Sequence, residues 1–185
     1  MHRLEDWIDG AGVVHLHAPV YEMVGTETAR PRVFFGARSN APELFEALVL
    51  RLTPPYLLLY ILHTPRGEAE PGRYESEAID PARFAGFISA YQEYLLADGR
   101  FDIWAYSHTD GATVVWDRHN YMYAYGPIDQ HVKIIEAFGY RPGEVDRIAD
   151  RPHVHFYRDE QDTAAIALLE EFDWKWGPLK PIDEQ

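Results

Sequence analysis

The pattern of apolar and polar residues along the chain predicts short strands alternating with amphipathic helices. Residues 13–17 and 33–35 have the composition of short strands. The run from Tyr56 to Leu62 is apolar at successive positions, which is typical of a central strand covered on both faces of its sheet. Further strands are predicted at residues 74–79, 101–108, 112–117, 121–125 and 153–157.

Helix ends give the clearest local signals. Asp80 followed by Pro81 is typical of an N-cap and a first helical residue, and apolar residues then recur every three or four positions as far as Leu95. Asn40 and Glu43 have the spacing of a capping box, which predicts a helix from residue 41. Two more helices are predicted at residues 128–138 and 163–174, and residues 174–185 are expected to form an irregular tail.

The order of these elements predicts an α+β fold with a mainly antiparallel sheet. Asp110-Gly111 is a strong hairpin signal between two strands, and the strand at 121–125 extends the hairpin to a three-strand meander. About four helices are expected to pack on the sheet. We interpret residues 1–185 as a single domain and residues 64–72, which contain two prolines and two glycines, as the candidate junction between subdomains.

Composition and charge narrow the classes of function. The 185 residues include no cysteine, which excludes disulfides, thiol nucleophiles and cysteine metal ligands. The formal net charge of −13 argues against a nucleic-acid partner, because phosphate binding needs a cationic surface. No apolar run reaches the ~20 residues of a membrane helix, and the first residues do not resemble a signal peptide, so we expect a cytoplasmic protein without a membrane partner.

Histidine is the residue type most suggestive of chemistry. Four of the nine histidines form two His-x-His pairs, His15/His17 and His153/His155, in segments predicted as strands. Side chains two residues apart on a strand point to the same face, so each pair offers two imidazoles to zinc, iron or copper. If the pairs meet, with Glu22 as a further ligand, they would form the centre of a metal-dependent enzyme that acts on a small molecule through activated water.

The first pair also has a local resemblance to a known motif. The spacing His15-x-His17-x4-Glu22 is similar to the first metal motif of the cupins. Pro19 interrupts the motif, no second cupin motif follows, and the chain has more predicted helix than a cupin barrel. The resemblance is therefore confined to these eight residues.

A second candidate for chemistry is the turn that follows the predicted hairpin. Asp117 is able to orient the imidazole of His119, and the two would then form an acid/base pair. Asp-Arg-His-Asn is also an ordinary turn composition, in which side chains bond to the nearby backbone. The chain has no Gly-x-Ser-x-Gly elbow, which argues against a Ser-His-Asp triad. It has no Walker A sequence and no Gly-x-Gly-x-x-Gly, so we expect no phosphate-binding cofactor site.

Aromatic residues favour a binding surface on the predicted meander. They are Tyr121, Tyr123 and Tyr125 on one strand face, and Trp104 and Tyr106 on one face of another strand. Trp116 lies on the strand between them and is a candidate for the same face, depending on the register of that strand. Such a platform stacks a ligand or a partner's side chains, although cross-strand aromatic pairs also stabilise an ordinary sheet.

The C-terminal region concentrates negative charge. Residues 159–185 carry eight acidic residues and two lysines, which suits a basic protein partner or, with Trp174 and Trp176 as anchors, self-association. In charge and size the chain resembles small bacterial immunity or regulatory proteins that neutralise basic partners. The sequence therefore favours a non-enzymatic, acidic protein-binding module over the metal-dependent enzyme.

Overall fold

A computed structural model of the chain describes residues 2–25 and 30–184, which form twelve strands and four α-helices. The α+β class is confirmed. The helices are α1 (Ala41–Val49), α2 (Pro81–Ala97), α3 (Ile128–Ala137) and α4 (Asp162–Glu170). The strands are β1 (Leu4–Ile8), β2 (Ala11–Val14), β3 (Val20–Val24), β4 (Arg32–Gly36), β5 (Tyr56–Leu62), β6 (Gly72–Glu75), β7 (Phe101–Ser107), β8 (Ala112–Trp116), β9 (Tyr121–Tyr125), β10 (Arg141–Pro142), β11 (His153–His155) and β12 (Lys175–Gly177).

Nine of the strands form one sheet in the order β10-β3-β4-β9-β8-β7-β5-β6-β12. Every neighbouring pair is antiparallel except β10 and β3. The predicted meander, β7-β8-β9, lies at its centre and is confirmed. The loop at 64–72 joins β5 to its neighbour β6, so the chain on both sides of this loop belongs to the same sheet.

The helices cover one face of this sheet. The start of α2 follows the sequence signal, because the carboxylate of Asp80 accepts a hydrogen bond from the backbone N–H of Arg83 at 2.8 Å. The ring of Phe84 packs edge-on against Tyr56 of β5, and Phe45 of α1 packs against Trp116. Alternation along the strands therefore places the main core between helices and sheet.

Trp116, the candidate for the face of the three tyrosines, lies on the opposite face of the sheet. In the β8–β9 register Trp116 lies opposite Met122, and Val115 lies opposite Tyr123. Trp116 is fully buried on the helix side, where its Nε1 donates to the side-chain oxygen of Asn120 at 2.8 Å. Val115 and Thr113 are the residues of β8 that lie between the aromatic side chains of β7 and β9.

The opposite face is covered only in part. A three-stranded sheet of order β11-β1-β2 lies at one end, where Leu4 packs with Phe34, Tyr121 and Ile148 in a second, smaller core. Farther along, Leu57 of β5 is 40% exposed, so the prediction that this strand is covered on both faces is wrong at that position. The uncovered part of this face is where the cavities described below open.

Four strands, one strand end and one helix cap differ from the sequence prediction. The predicted strand 13–17 ends at Val14, so His15 and His17 lie beyond it, and β10 and β12 were not predicted. β1 and β3 were not predicted, although Asp9-Gly10, with φ of 49° and 80°, is the kind of turn that favours a β1–β2 hairpin. The predicted cap of α1 does not form, since the Asn40 side chain makes no hydrogen bond to the helix end.

The C-terminal region also differs from the prediction. α4 ends at Glu170, before the predicted residue 174. The segment predicted as an irregular tail contains β12, which extends the large sheet beside β6, and a short 3-10 turn at Pro181–Glu184. Among the described residues, no helix combines the length and apolar character needed to cross a membrane.

Candidate metal centre and adjoining cleft

Three histidines from two separate elements converge at one end of the sheet. β11 pairs with β1 so that His155 lies opposite Leu4 and His153 opposite Asp6, and the two imidazoles project to the same side. His119, from the turn between β8 and β9, completes the group. One nitrogen from each ring lies within 4.8 Å of the others, and the Nε2 atoms of His153 and His155 are 3.2 Å apart.

The turn that carries His119 is held by its neighbours. Asn120 adopts a left-handed conformation (φ 61°), donates from its side-chain amide to the carbonyl of Ala37 at 2.9 Å, and accepts from Trp116. Asp117 accepts the backbone N–H of Tyr121 at 2.8 Å. The sequence-predicted pair of Asp117 and His119 is brought together, with Oδ2 and Nδ1 3.7 Å apart, which is longer than a hydrogen bond.

The protonation pattern of the cluster suits metal ligands. His153 donates its Nδ1–H to the carbonyl of Arg151 at 2.7 Å, which leaves the Nε2 lone pair directed at the cluster. Burial, reinforced by the neighbouring His119 and His153, lowers the pKa of His155 to about 3, so that ring is neutral at pH 7. Tetrahedral zinc with Zn–N bonds of ~2.0–2.1 Å separates its ligand nitrogens by about 3.3 Å, close to the observed Nε2–Nε2 distance.

The cluster lines a cavity of about 550 Å³ that is rich in cationic side chains. Arg100 is held there by Asp98 and Glu68, each at 2.7 Å. His63 lines the same cavity, and its Nε2 lies 3.0 Å from a carboxylate oxygen of Asp102. The wall of this cavity therefore carries, besides the three histidines, an imidazole that contacts a carboxylate behind it.

A second cavity, of about 480 Å³, opens on the helix-free face of the sheet. We call it the aromatic cleft. Its floor is the cross-strand row Tyr123–Val115–Trp104, flanked by Tyr121 and Tyr125. Asp102, Asp117, Arg30 and Arg32 contribute polar groups to its lining. His119 and Ala149 line both cavities, so the cleft ends at the histidine cluster.

The first His-x-His pair lies outside the cluster. Nδ1 of His15 is 2.8 Å from Oδ2 of Asp6, and Nε2 of His15 is 3.2 Å from Nδ1 of His17. His17, which is 3% exposed, has its Nε2 3.0 Å from the carbonyl oxygen of His119. Arg151 also binds Asp6, through Nε at 2.6 Å. Both nitrogens of each ring are thus occupied within the protein, and the structure gives this pair no free lone pair for an ion.

Glu22, the third member of the predicted ligand set, is likewise committed elsewhere. It lies on β3, where Oε2 accepts from Arg147 at 2.6 Å and Oε1 accepts the backbone N–H of Val145. The pKa of Glu22 is lowered, with burial opposing the shift and Arg147 and Val145 producing it.

The aromatic residues predicted to anchor a partner protein differ in their exposure to solvent. Trp174 packs against Phe172 and donates from Nε1 to the carbonyl of Leu168 at 2.9 Å, so its indole belongs to the protein's own core. Trp176, on β12, is 56% exposed. Tyr121, Tyr123 and Tyr125 share one face and line the aromatic cleft.

The sequence did not indicate two features of the site. His119 was named as an acid/base residue but not as a partner of His153 and His155, because it is remote from them along the chain. The pair of His63 and Asp102 had no motif signal, since only the register of β5 against β7, with Asp102 opposite Ile61, brings the two side chains together. Comparisons with protein-family models, with curated proteins and with solved structures each give no match to this chain.

Proposed function

We propose that this protein is a metal-dependent enzyme in which His119, His153 and His155 hold a divalent transition metal that activates water for attack on a small-molecule substrate. The observation that carries the proposal is the convergence of three imidazoles from two elements, with ligand nitrogens within 4.8 Å of one another, on the wall of a cavity.

The ligand set favours a catalytic centre over a structural one. Structural zinc sites are closed by four protein ligands, whereas catalytic sites use three and keep a position for water or substrate. Three imidazole ligands suit zinc, with iron and copper as alternatives that also bind imidazole. A bound ion of this kind supplies Lewis acidity and lowers the pKa of its water toward ~7.

The surrounding residues have complementary roles. The backbone carbonyl of Arg151 orients His153, and the carboxylate of Asp117 lies on the Nδ1 side of His119. His63, whose Nε2 contacts Asp102 and whose ring lines the same cavity, would take a proton from the attacking water and return it to the leaving group. In the net reaction, water adds across the bond that is cleaved.

Metal content tests the proposal directly. Tag-free protein, purified without chelators and dialysed against Zn²⁺, is expected to retain roughly one ion per chain by elemental mass spectrometry. His153→Ala and His155→Ala should each lose it, whereas the matched control His108→Ala, at an exposed position, should keep it. Retention of the ion in a His153→Ala/His155→Ala double variant, or no uptake by the folded wild type, would contradict the site.

Turnover tests the enzymatic part separately. Hydrolysis of 4-nitrophenyl acetate and of 4-nitrophenyl phosphate is measured on chelator-treated protein before and after zinc is restored. We expect zinc-dependent release of nitrophenolate with at least one of them, absent in His155→Ala and reduced in His63→Asn, which should still bind zinc. One bound zinc ion per chain without zinc-dependent turnover of either compound would indicate a structural zinc site and overturn the proposal that the protein is an enzyme.

The acidic protein-binding module favoured by the sequence stays a prediction. Its proposed anchors differ in accessibility, since Trp174 is packed in the core while Trp176 is exposed. We prefer the metal-dependent enzyme because it accounts for the placement of the histidines and the two cavities together.

A further inference from the structure

Arg32 forms no ion pair with a carboxylate among the residues that the structure describes. Its side chain lies over the rings of Tyr123 and Tyr125, with 5.7 and 5.8 Å between the guanidinium carbon and the ring centroids. Its Nε is buried without an acceptor, and none of the carboxylates in residues 2–25 and 30–183 forms an ion pair with it. Arg32 lines the aromatic cleft, so its terminal nitrogens are available to a molecule in the cleft.

Arg32 differs from two arginines that line the neighbouring cavity and are held by carboxylates. Arg66 binds Asp159 and Asp162, and Arg100 binds Asp98 and Glu68. Arg30, which lines the cleft with Arg32, donates to the backbone carbonyl of Gly111, whereas the described contacts of the Arg32 guanidinium are with the rings of Tyr123 and Tyr125. A half-buried charge is costly unless it is compensated, and an anionic ligand would supply the compensation.

The floor of the cleft fixes the shape of that ligand. Tyr123, Val115 and Trp104 lie side by side on three adjacent strands. Neighbouring strands are ~4.8 Å apart, so the row spans about 10 Å, which matches a flat molecule of two fused rings. Tyr123 and Trp104 at its two ends lie beside the guanidinium groups of Arg32 and Arg73, at 5.7 and 5.8 Å from the ring centroids, so a planar ring would pack on them next to a cation.

We infer that the aromatic cleft binds a planar aromatic molecule that carries an anionic group, with the ring on the Tyr123–Val115–Trp104 floor and the anion on the guanidinium of Arg32. Because the cleft ends at His119, this molecule is also the substrate of the metal centre, a role that rests on the proposed function. Binding itself needs only the cleft and therefore does not depend on the ion.

Calorimetric titration with a matched pair of probes tests the inference. The probes are 2-naphthoate and its neutral analogue 2-naphthamide, which have nearly the same shape. We expect naphthoate to bind about tenfold tighter than the amide, and Arg32→Gln to remove this difference, because a charge-assisted hydrogen bond is worth about 1.5–3 kcal/mol. Arg51→Gln, at an exposed arginine on the helix side of the chain, is the control and should leave both affinities unchanged.

Titrations of zinc-loaded wild type and of His155→Ala separate this inference from the proposed function. Naphthoate binding in both, with its dependence on Arg32, supports the cleft even if no metal is ever taken up. Zinc uptake without saturable naphthoate binding below about 1 mM overturns the proposed ligand of the cleft but is consistent with the proposed metal centre. Equal affinity for the two probes, or no effect of Arg32→Gln, also overturns the inference.

Discussion

His17 donates an Nε2–H hydrogen bond of 3.0 Å to the main-chain carbonyl of His119. Burial lowers the pKa of His17 to about 4, so its ring is neutral at pH 7 and its Nδ1 accepts from Nε2 of His15. The two His-x-His pairs therefore meet at the same residue in different ways: His153 and His155 face the side chain of His119, whereas His17 holds its backbone.

Replacement of His17 should weaken metal binding without removing a ligand. Because His17 fixes the turn that positions His119, we expect His17→Ala to lower zinc affinity about tenfold or more, within the range found for residues that orient ligands. Competition with a chromogenic chelator measures this affinity. Since the variant also loses buried packing, His131→Ala, a buried histidine of α3, serves as the control for general destabilisation and should leave zinc affinity unchanged.

Gly36 provides an independent way to move His17. A Cβ at this position of β4 would lie 2.1 Å from Cγ of the His17 ring, a distance that the ring cannot accommodate without shifting. Gly36→Ala should therefore reproduce the loss of zinc affinity seen in His17→Ala, although the imidazole is still present. Gly86→Ala, in α2, has open space around its Cβ and should leave zinc affinity intact. Wild-type zinc affinity in Gly36→Ala would contradict the positioning role.

The sequence predicted the elements with strong local signals. The helix after Asp80-Pro81 and the strand from Tyr121 to Tyr125 form as expected, because a cap and a clear alternation determine each one locally. Asp9-Gly10 is a turn signal for the β1–β2 hairpin, but Glu5 and Asp6 interrupt the apolar pattern of β1, so this strand was not predicted. The face of Trp116 stayed open because alternation along one strand does not fix its register against the next strand.

The candidate site was predictable only in part. Spacing alone gave the pair of His153 and His155, since two residues of one strand share a face. His119 joins them through tertiary structure: β11 pairs with β1, and Leu4 of β1 packs on Tyr121, which follows the turn. Such a relation between remote segments leaves no trace in local spacing. The same holds for Arg32, because its contacts with Tyr123 and Tyr125 follow from the pairing of β4 with β9.

The ion pairs of Asp6 should appear as pH-dependent stability. The hydrogen bond from Arg151, with a further one from His15, lowers the pKa of Asp6 to about 2 from an ordinary value near 3.8. A carboxyl whose pKa is lower in the folded state stabilises the fold above the unfolded pKa and loses that effect as the pH falls. We therefore expect Asp6→Asn to cost about 2 kcal/mol at pH 7, and the difference from wild type to shrink between about pH 4 and pH 2.

Urea unfolding at several pH values measures this difference. Glu93→Gln, on the exposed side of α2, is the control and should change stability by less than about 0.5 kcal/mol at every pH. A difference between wild type and Asp6→Asn that stays constant down to pH 2 would show that the ionised carboxylate does not provide the stabilisation.

Arg3 should be one of the most sensitive positions for stability. Its guanidinium is buried and donates to the carbonyls of Asp98, Phe101 and Asp117 at 2.8, 3.2 and 3.1 Å. Arg3→Met would remove all three hydrogen bonds, although the carbonyl of Asp117 would keep the one from the backbone N–H of Asn120, and we expect a loss of about 3 kcal/mol or more in unfolding free energy. Arg51→Met, at an exposed position, should cost less than about 0.5 kcal/mol. Similar urea midpoints for the two variants would contradict the assigned role of Arg3.

The hydroxyl groups of Tyr60 and Tyr94 form a buried pair 2.7 Å apart between β5 and α2. Burial raises the pKa of both phenols, so each stays protonated, and the structure gives each hydroxyl the other as its side-chain partner. Tyr60→Phe or Tyr94→Phe alone leaves one buried hydroxyl without its partner, which should cost about 1–2 kcal/mol. The double variant removes both hydroxyl groups, so its unfolding free energy should be at least as high as that of the less stable single variant.

A double-mutant cycle of urea unfolding measures this coupling, which we expect to be about 1 kcal/mol. Tyr91→Phe, whose hydroxyl donates to Glu171 near the surface at 3.0 Å, is the matched control when combined with Tyr60→Phe. That combination should be additive, because the two hydroxyls share no partner. Additive losses for Tyr60 and Tyr94 would mean that each hydroxyl finds another partner in the folded state, most simply a buried water, and that the strand and the helix are joined there by packing alone.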